Sequence, residues 1–373
     1  MLKRIAFHLN CLSQGGAERV VSTLANRFVD EGYEVLVATE WYGENEYPLD
    51  PRVRRVHVGL RDTDASKSRV RKILLRVKYL REFLKKERPD VLVAFDHQVD
   101  YRALLAARGT GIPVVISIRT NPTGHYDALT DRLQIRWLFP KAAGCVYQTE
   151  GQRAFFRPYL QDGTAVILNP INDKYLHAPL SVHREKAVMQ SARIVDFKNQ
   201  SMLFDAFAIV HQRHPDYCLR LYGSDSGDGT MQILKDKIRA LGAEDWILLC
   251  GPCSHLETEL IKGAVYVLSS DWEGLPNGLM EAMALGLPCV STDCPCGGPA
   301  EIIRDGENGL LVPIQNADAM AKAILTLIED PEYAEALGRE ARRIRERAGV
   351  DEICGQWLAY LKQAVAAYEE RRQ

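Results

Sequence analysis

The chain has 373 residues, 46% of them hydrophobic and 26% charged, a soluble globular composition with enough chain for two domains. No apolar run approaches the roughly 20 residues of a membrane-spanning helix, and the nine scattered cysteines read as reduced thiols of a cytoplasmic protein. The net charge of −2 hides a division, because residues 1–168 carry a net +7 and the remainder a net −9, so one half alone is expected to meet an anionic partner.

In chain order, the apolar stretch Ile5–Leu9 is too short for a signal-peptide core and reads as a first β-strand. Strands are predicted at 4–9, 34–39, 91–95, 114–118, 143–147 and 165–168. A second series is predicted at 186–192, 218–222, 246–250, 264–268, 287–291 and 310–312. Most are rich in Val, Ile and Leu on both faces, as parallel strands covered by helices are. Strand–helix alternation at this spacing argues for doubly wound α/β units. The pattern breaks at Asn169-Pro170-Ile171, which gives a first domain of 1–168 and a second of 169–350. A closing segment, 351–373, holds an amphipathic helix at 358–367. Ligands of such sheets sit beyond the carboxyl ends of the strands, so two of them facing each other would form a cleft.

The strongest chemical signal is Ser269-Ser270-Asp271-Trp272-Glu273-Gly274-Leu275-Pro276-Asn277-Gly278-Leu279-Met280-Glu281, which follows a buried strand and opens a helix. Two carboxylates flanking Gly-Leu-Pro-Asn-Gly can accept hydrogen bonds from two parts of one polyhydroxylated ligand, since a carboxylate only accepts. The helix start between them offers amides and a positive dipole end to phosphate. Alone, the two glutamates would read as acidic residues at an ordinary helix start. Gly15-Gly16 lies between a strand and a helix, where a residue without Cβ lets backbone approach phosphate. Arg193 and Lys198 follow a strand end, where cations can neutralise a departing diphosphate.

These segments resemble glycosyltransferase family 4, a retaining family with the GT-B fold, whose Glu-x7-Glu motif is matched by Glu273 and Glu281. Gly15-Gly16-Ala17-Glu18-Arg19 is similar to its glycine-rich loop, and Arg193 through Lys198-Asn199 to its diphosphate clamp. Gly286-Leu287-Pro288, Thr292-Asp293-Cys294-Pro295, Gly297 to Ile303 and Asp305 to Gly309 follow in family order. The resemblance implies two Rossmann-like domains, with residues 351–373 crossing back to the first. It implies that Arg193 and Lys198 hold the donor diphosphate, that Glu281 binds the ribose hydroxyls and that Glu273 contacts the transferred sugar. Gly15, Gly16, Asn277, Gly278 and Leu279 complete the implied donor site. The implied reaction moves a hexose or N-acetylhexosamine from a UDP-sugar, without a metal ion. The implied acceptor is a polyprenyl-diphosphate-linked glycan of bacterial surface polysaccharide assembly, at the inner face of the cytoplasmic membrane.

Where many family members place a histidine, this chain has Arg119 in Ser117-Ile118-Arg119-Thr120-Asn121-Pro122. Arg119 reads either as a contact to phosphate or acceptor or as a structural ion pair. Asp96 and His97, after the third predicted strand, read either as acceptor-side residues or as a helix cap. Asp62-Thr63-Asp64 has the spacing of a metal-binding Asp-x-Asp but sits in a polar loop without its context. The pairs Cys250/Cys253 and Cys294/Cys296 read as strand-end thiols before zinc ligands.

Residues 66–88 hold ten Lys and Arg against Glu82 and Glu87, with Val70, Ile73, Leu74, Val77, Leu80 and Leu84 at helical spacing. That is either a core-packed helix with a solvated basic face or a surface for anionic lipid. No aromatic platform accompanies it, which disfavours nucleic acid. A GT-B phosphorylase, a nucleotide-sugar epimerase and a non-catalytic GT-B scaffold stand as alternatives, and intact Arg193, Lys198, Glu273 and Glu281 argue against the scaffold. No Gly-x-Gly-x-x-Gly follows a strand, against a dehydrogenase.

Overall fold

The computed structural model describes residues 2–13, 15–160, 162–179 and 183–372. The chain divides into two compact units, residues 1–170 with 350–373, and residues 171–349. The first unit runs β1 (Arg4–Leu9), α1 (Gly16–Asp30), β2 (Glu34–Thr39), β3 (Arg54–His57), α2 (Arg69–Glu87), β4 (Val91–Phe95), α3 (His97–Ala107), β5 (Val114–Ser117), α4 (Leu129–Leu138), β6 (Gly144–Tyr147), α5 (Glu150–Phe156) and β7 (Thr164–Val166). Its seven strands are all parallel, in the order β3-β2-β1-β4-β5-β6-β7. The order reverses between β1 and β4, so the loops leaving those two strands part to opposite faces.

The strand β3 falls outside the predicted set. Arg54-Arg55-Val56-His57 has no apolar run because it is an edge strand, half exposed and paired only to β2. Its arginines are spent on carboxylates, Arg54 on Glu87 and Arg55 on Glu46, which also blunts a sheet edge open to other chains.

The second unit runs α6 (Asp173–Leu176), β8 (Ala187–Ser191), α7 (Gln200–Arg213), β9 (Cys218–Tyr222), α8 (Thr230–Leu241), β10 (Ile247–Gly251), α9 (Leu256–Leu260), β11 (Val265–Leu268), α10 (Asn277–Ala284), β12 (Cys289–Thr292), β13 (Leu310–Val312), α11 (Ala317–Glu329), α12 (Pro331–Ala341) and α13 (Ile344–Ala348). Its six parallel strands are ordered β10-β9-β8-β11-β12-β13, with the reversal between β8 and β11. Two Rossmann-like units of this kind make the two-domain α/β fold named GT-B. The apolar strands are buried because helices cover both faces, and Val188, Leu219, Val267 and Val290 form the middle of the second core.

The last helix, Val350–Glu370, belongs to the first unit. Trp357 is fully buried on it and stacks on Phe95 with ring centroids 5.6 Å apart. Tyr360 donates to the Gly163 carbonyl at 2.6 Å, and a Cβ on Gly144 would lie 2.2 Å from that same hydroxyl, so β6 must start with glycine. Arg371 donates to the Ala143 carbonyl at 3.1 Å. The helix therefore closes the first core. Truncating Trp357 to Ala is expected to destabilise that unit by about 3–5 kcal/mol, with Trp357→Phe losing less. Chemical denaturation of the two variants against the parent checks it.

Candidate functional site

The loops leaving β8 and β11, residues 192–199 and 269–276, are joined rung by rung. Asp271 N donates to the Phe197 carbonyl at 2.8 Å, and Asn199 Nδ2 to Asp271 Oδ1 at 2.8 Å. Ser269 Oγ donates to the Lys198 carbonyl at 2.8 Å and itself accepts from Gln190 Nε2 at 2.9 Å. The rings of Phe197 and Trp272 stack, centroids 3.9 Å apart and 17° from parallel. Beside that stack Lys198 Nζ donates to Glu273 Oε1 at 2.5 Å, and Ser270 Oγ donates to the same oxygen at 2.6 Å. Asn199 holds the turn open at φ 46° while its side chain caps α7 at the Met202 amide. The lysine and the glutamate side chains are only 15% and 9% exposed, so the pair is partly desolvated and its attraction correspondingly strong. An ammonium has three donors, so Lys198 can keep Glu273 and still reach an anion.

Arg193 lies just past β8 with its backbone tied down, its carbonyl accepting from Gln200 Nε2 at 3.0 Å and Ile194 bridging to Asp225, while its side chain is exposed. On the other side α10 starts at Asn277 after Pro276, and no side chain caps it. A helix leaves its first amides without intrahelical acceptors, so this start suits an anion. Gly278 is there for space: a Cβ would come within 2.7 Å of the Tyr266 hydroxyl and 2.8 Å of the Ser191 carbonyl, so only glycine lets the helix approach the end of β8. Leu279 is buried beneath it, and Glu281 follows at 4% exposure. Gly298 packs on the Gly274 carbonyl, where a Cβ would stand 1.8 Å away, bracing the Glu273 loop from behind. Of the sequence-predicted set, Lys198 and Glu273 bond directly, and Arg193, Asn277, Gly278, Leu279 and Glu281 sit on the elements next to them. Phe197, Ser270 and Trp272 were not singled out by role, though Phe197 adjoins Lys198 and Trp272 adjoins Glu273 in sequence.

In the first unit the strand ends carry a second set. Gly15 precedes α1 in extended backbone, φ −132°, which any residue adopts; a Cβ there would meet Glu18 Oε2 at 2.1 Å. Asp96 caps α3 by accepting from the His97 amide at 2.8 Å, at φ 100°, a strained conformation for a residue with a side chain. His97 Nε2 pairs with Asp131 Oδ1 at 2.9 Å and has Tyr126 and Tyr101 edge-on at 4.2 and 5.1 Å. Burial holds the His97 pKa below the ordinary value, against the pull of Asp131.

Arg119 donates from Nη1 to Asn169 Oδ1 at 3.0 Å and lies over Phe95 and Trp357, at 4.6 and 5.4 Å. Its Nε and Nη2 face the interior, and burial pushes its pKa down to about 9, which still leaves a cation at neutral pH. Asp100 is fully buried, its carboxyl raised well above the ordinary range by burial, and its charge favours the Arg119 cation. A network invisible in the sequence lies beside these. Glu40 is held by Arg102 at 2.7 Å and Arg76 at 2.6 Å, and Arg102 also donates to Asn10 at 2.7 Å.

The weaker patterns have local explanations. Asp64 accepts from the Arg61 amide at 3.0 Å and from the Tyr79 hydroxyl at 2.9 Å, which fixes a 3-10 turn over Asp62–Asp64. Cys294 donates to the Ser270 carbonyl at 3.1 Å, and burial pushes its thiol up to about 12. Cys296 sits at φ 74° in the following turn, and Cys250 faces the Leu248 carbonyl at 3.6 Å. Among the described residues, no three His, Cys, Asp or Glu side chains are grouped to hold a metal ion. Helix α2 is divided: Leu80, Phe83 and Leu84 are buried, whereas Val70, Ile73 and Leu74 are 68%, 47% and 64% exposed.

Comparison with known proteins bears on this arrangement. Residues 14–175 match the family model described as Glycosyltransferase Family 4, and residues 173–344 the model described as Glycosyl transferases group 1. The chain is 34% identical, over 56% of its length, to the exopolysaccharide phosphotransferase SCO2592 of Streptomyces coelicolor, but spans only 22% of that protein. It is 24% identical, over 96% of its length and 98% of the relative's, to the Campylobacter jejuni GalNAc-alpha-(1->4)-GalNAc-alpha-(1->3)-diNAcBac-PP-undecaprenol alpha-1,4-N-acetyl-D-galactosaminyltransferase. The crystal structure of Anabaena HepE in complex with UDP-glucose superposes with a TM-score of 0.83 at 20% identity, covering 96% of this chain and 99% of that one. With adjoining glycosyltransferase models taking in residues 14–344 and the same two-unit fold, the chain is a glycosyltransferase of the group 1 and family 4 kind, built on the GT-B fold.

Proposed function

We propose that this glycosyltransferase retains anomeric configuration and moves a hexose or N-acetylhexosamine from a UDP-sugar to a polyprenyl-diphosphate-linked glycan in bacterial surface polysaccharide assembly. The observation that carries the donor half is the bonded Lys198–Glu273 pair, set between Arg193 and the uncapped start of α10. Lys198 and Arg193 meet the diphosphate, with the amides at Asn277, Gly278 and Leu279 adding donors from the helix start. Glu281, one face of α10 further on, accepts from the ribose diol. Glu273, steadied by Ser270, faces the transferred sugar. The family resemblance alone assigns the Gly15 and Gly16 amides to the donor phosphate. The acceptor oxygen bonds to C1 as the C1–phosphate bond breaks on the same face, and the acceptor proton passes to a phosphate oxygen of the leaving UDP. No separate base is needed, and the cations stabilise charge that grows on the diphosphate. HepE holding UDP-glucose and a full-length relative whose named acceptor is undecaprenol-linked support the substrate classes.

On the acceptor side the reading assigns Asp96, His97 and Arg119, with His97 presented by Asp131 and Arg119 acting from within the wall of the site. The basic stretch 66–88 meets the anionic inner face of the cytoplasmic membrane, where each Lys or Arg near the surface contributes about 1 kcal/mol.

The donor reading is checked by calorimetry with UDP, where Glu281→Ala should weaken binding by about 1.5–3 kcal/mol, the worth of a charge-assisted hydrogen bond. Unchanged affinity would remove Glu281 from the site. Replacing Arg193 and Lys198 together by Ala should cut turnover far more than it lowers thermal stability, since the two act on transition-state charge. A double variant with near-normal turnover would overturn the clamp. Transfer should also survive EDTA, because two cations and a helix end supply what a divalent ion supplies elsewhere; activity lost in EDTA and restored by Mn²⁺ would contradict that.

A further inference from the structure

Ten large hydrophobic side chains stand exposed among the described residues, and eight of them belong to the first unit. Exposed apolar residues are ordinary when scattered and informative when gathered. Three of the eight, Val70, Ile73 and Leu74, form one stripe on the first half of α2. Three more, Leu129, Leu133 and Trp137, form another along α4, 74%, 60% and 52% exposed at a spacing of four. The last two, Trp41 and Tyr42, directly follow Glu40 at the end of β2.

The fold puts these on one edge. Helices α2 and α4 both pack against α3, and each lies in a connection that leaves the carboxyl end of a strand, α2 after β3 and α4 after β5. Two ion pairs show which end of the sheet they serve. Arg76 of α2 holds Glu40 at the end of β2, and Asp131 in the first turn of α4 holds His97 at the end of β4. The apolar stripes therefore flank the strand ends that carry the acceptor-side residues.

Charge selects the occupant. On α2 the stripe is interleaved with Arg69, Arg71 and Lys72. On α4 it is interleaved with Arg132 and Arg136, while Lys141 Nζ sits 3.3 Å and the Arg108 guanidinium 5.7 Å from the Trp137 ring centroid. Asp131, the acid of α4, is turned onto His97 and only 14% exposed. Leucines and a tryptophan fringed by cations suit the boundary between acyl chains and anionic headgroups. A second copy would bring the same basic face against itself, from a half that carries a net +7.

We propose that α4 is a membrane-docking helix: Leu129, Leu133 and Trp137 enter the headgroup–acyl boundary of an anionic leaflet, Arg132, Arg136 and Lys141 pair with lipid phosphates, and the exposed half of α2 is the second foot. The proposal rests on the reading of a lipid-linked acceptor for its purpose, though not for its residues. A leaflet seated on these helices meets the edge holding His97, so an acceptor with a lipid tail reaches its sugar's site without leaving the bilayer.

The test uses the full chain with vesicles of phosphatidylcholine alone and of an equimolar mixture with phosphatidylglycerol. Trp137 is read as the difference between the emission of the parent and of Trp137→Phe. The expected result is a blue shift of that difference, and its quenching by bromine-labelled phosphatidylcholine, with the anionic vesicles only. Leu129→Ser with Leu133→Ser should lower vesicle partitioning about tenfold or more, with UDP affinity unchanged. Changing Lys67, Arg71, Lys72, Lys78 and Lys85 to Gln should weaken attachment and its salt dependence without moving UDP binding. Attachment with an unchanged Trp137 signal would overturn the role of α4 and leave α2 alone. A dimer in light scattering that Leu129→Ser with Leu133→Ser dissolves, with no vesicle binding, would give the face to a second copy and also overturn it. Vesicle docking in a protein that binds no UDP would uphold this surface and sink the donor reading instead.

Discussion

A parallel strand can be joined to the next only by a passage over one face of the sheet, and such passages are right-handed. A sheet that grows first in one direction and then in the other must therefore have one place where two neighbouring strands send their loops apart. In this chain the places are β1 beside β4 and β8 beside β11, and polar and charged side chains gather at both. In the second unit the parted loops are then pulled back together by Asn199 on Asp271, Phe197 on Trp272 and Lys198 on Glu273. The topology makes the gap, and the side chains decide how wide it is.

That zipper has an electrostatic side. An ammonium held on a carboxylate in a half-dry pocket is close to neutral seen from a distance, so Lys198 is not left as a bare buried cation. Under the proposed donor reading a diphosphate would change the balance, because it offers more negative charge than one carboxylate. The aromatic pair beside the ion pair limits how far either loop can drift while that exchange occurs. In the first unit the corresponding economy is different: Glu40 serves two arginines and Arg119 is lodged against Phe95 and Trp357, so charge there is spent on holding strand ends in place.

How much of this could be read from residues alone follows from what each signal depends on. Buried strands announce themselves because helices on both faces demand Val, Ile and Leu throughout; β3 does not, because an edge strand of Arg54-Arg55-Val56-His57 needs only one neighbour and is stabilised by Glu46 and Glu87. Glu273, Glu281, Arg193 and Lys198 stood out in sequence through the family resemblance, since alone the glutamates read as an ordinary acidic helix start; the direct bond of Lys198 to Glu273 appears only in the fold. The partner of His97 was not: Asp131 lies on another helix, and no periodicity links the two. Helix α2 shows the limit of periodicity itself. Its apolar positions keep one spacing from Val70 to Leu84, yet only the second half finds a core to enter, and which half does so depends on where the sheet ends. Gly278 had a phosphate-binding appearance in sequence; the crowding of Tyr266 and Ser191 gives it a steric reason as well.

The buried Trp357 has a consequence for how the chain comes into being. The second unit is continuous from Ile171 to Gly349, whereas the first is interrupted by it and is finished only by the last helix. Ribosomes add roughly 5–20 residues per second, so the first core waits about 10–40 s between its own first part and the helix that seals it. During that interval the Phe95 side of the sheet has no tryptophan over it, and the middle of the polypeptide can already be folded. The order of encoding and the order of completion therefore differ: the part encoded first is sealed last, and its open face stays uncovered until the final helix arrives.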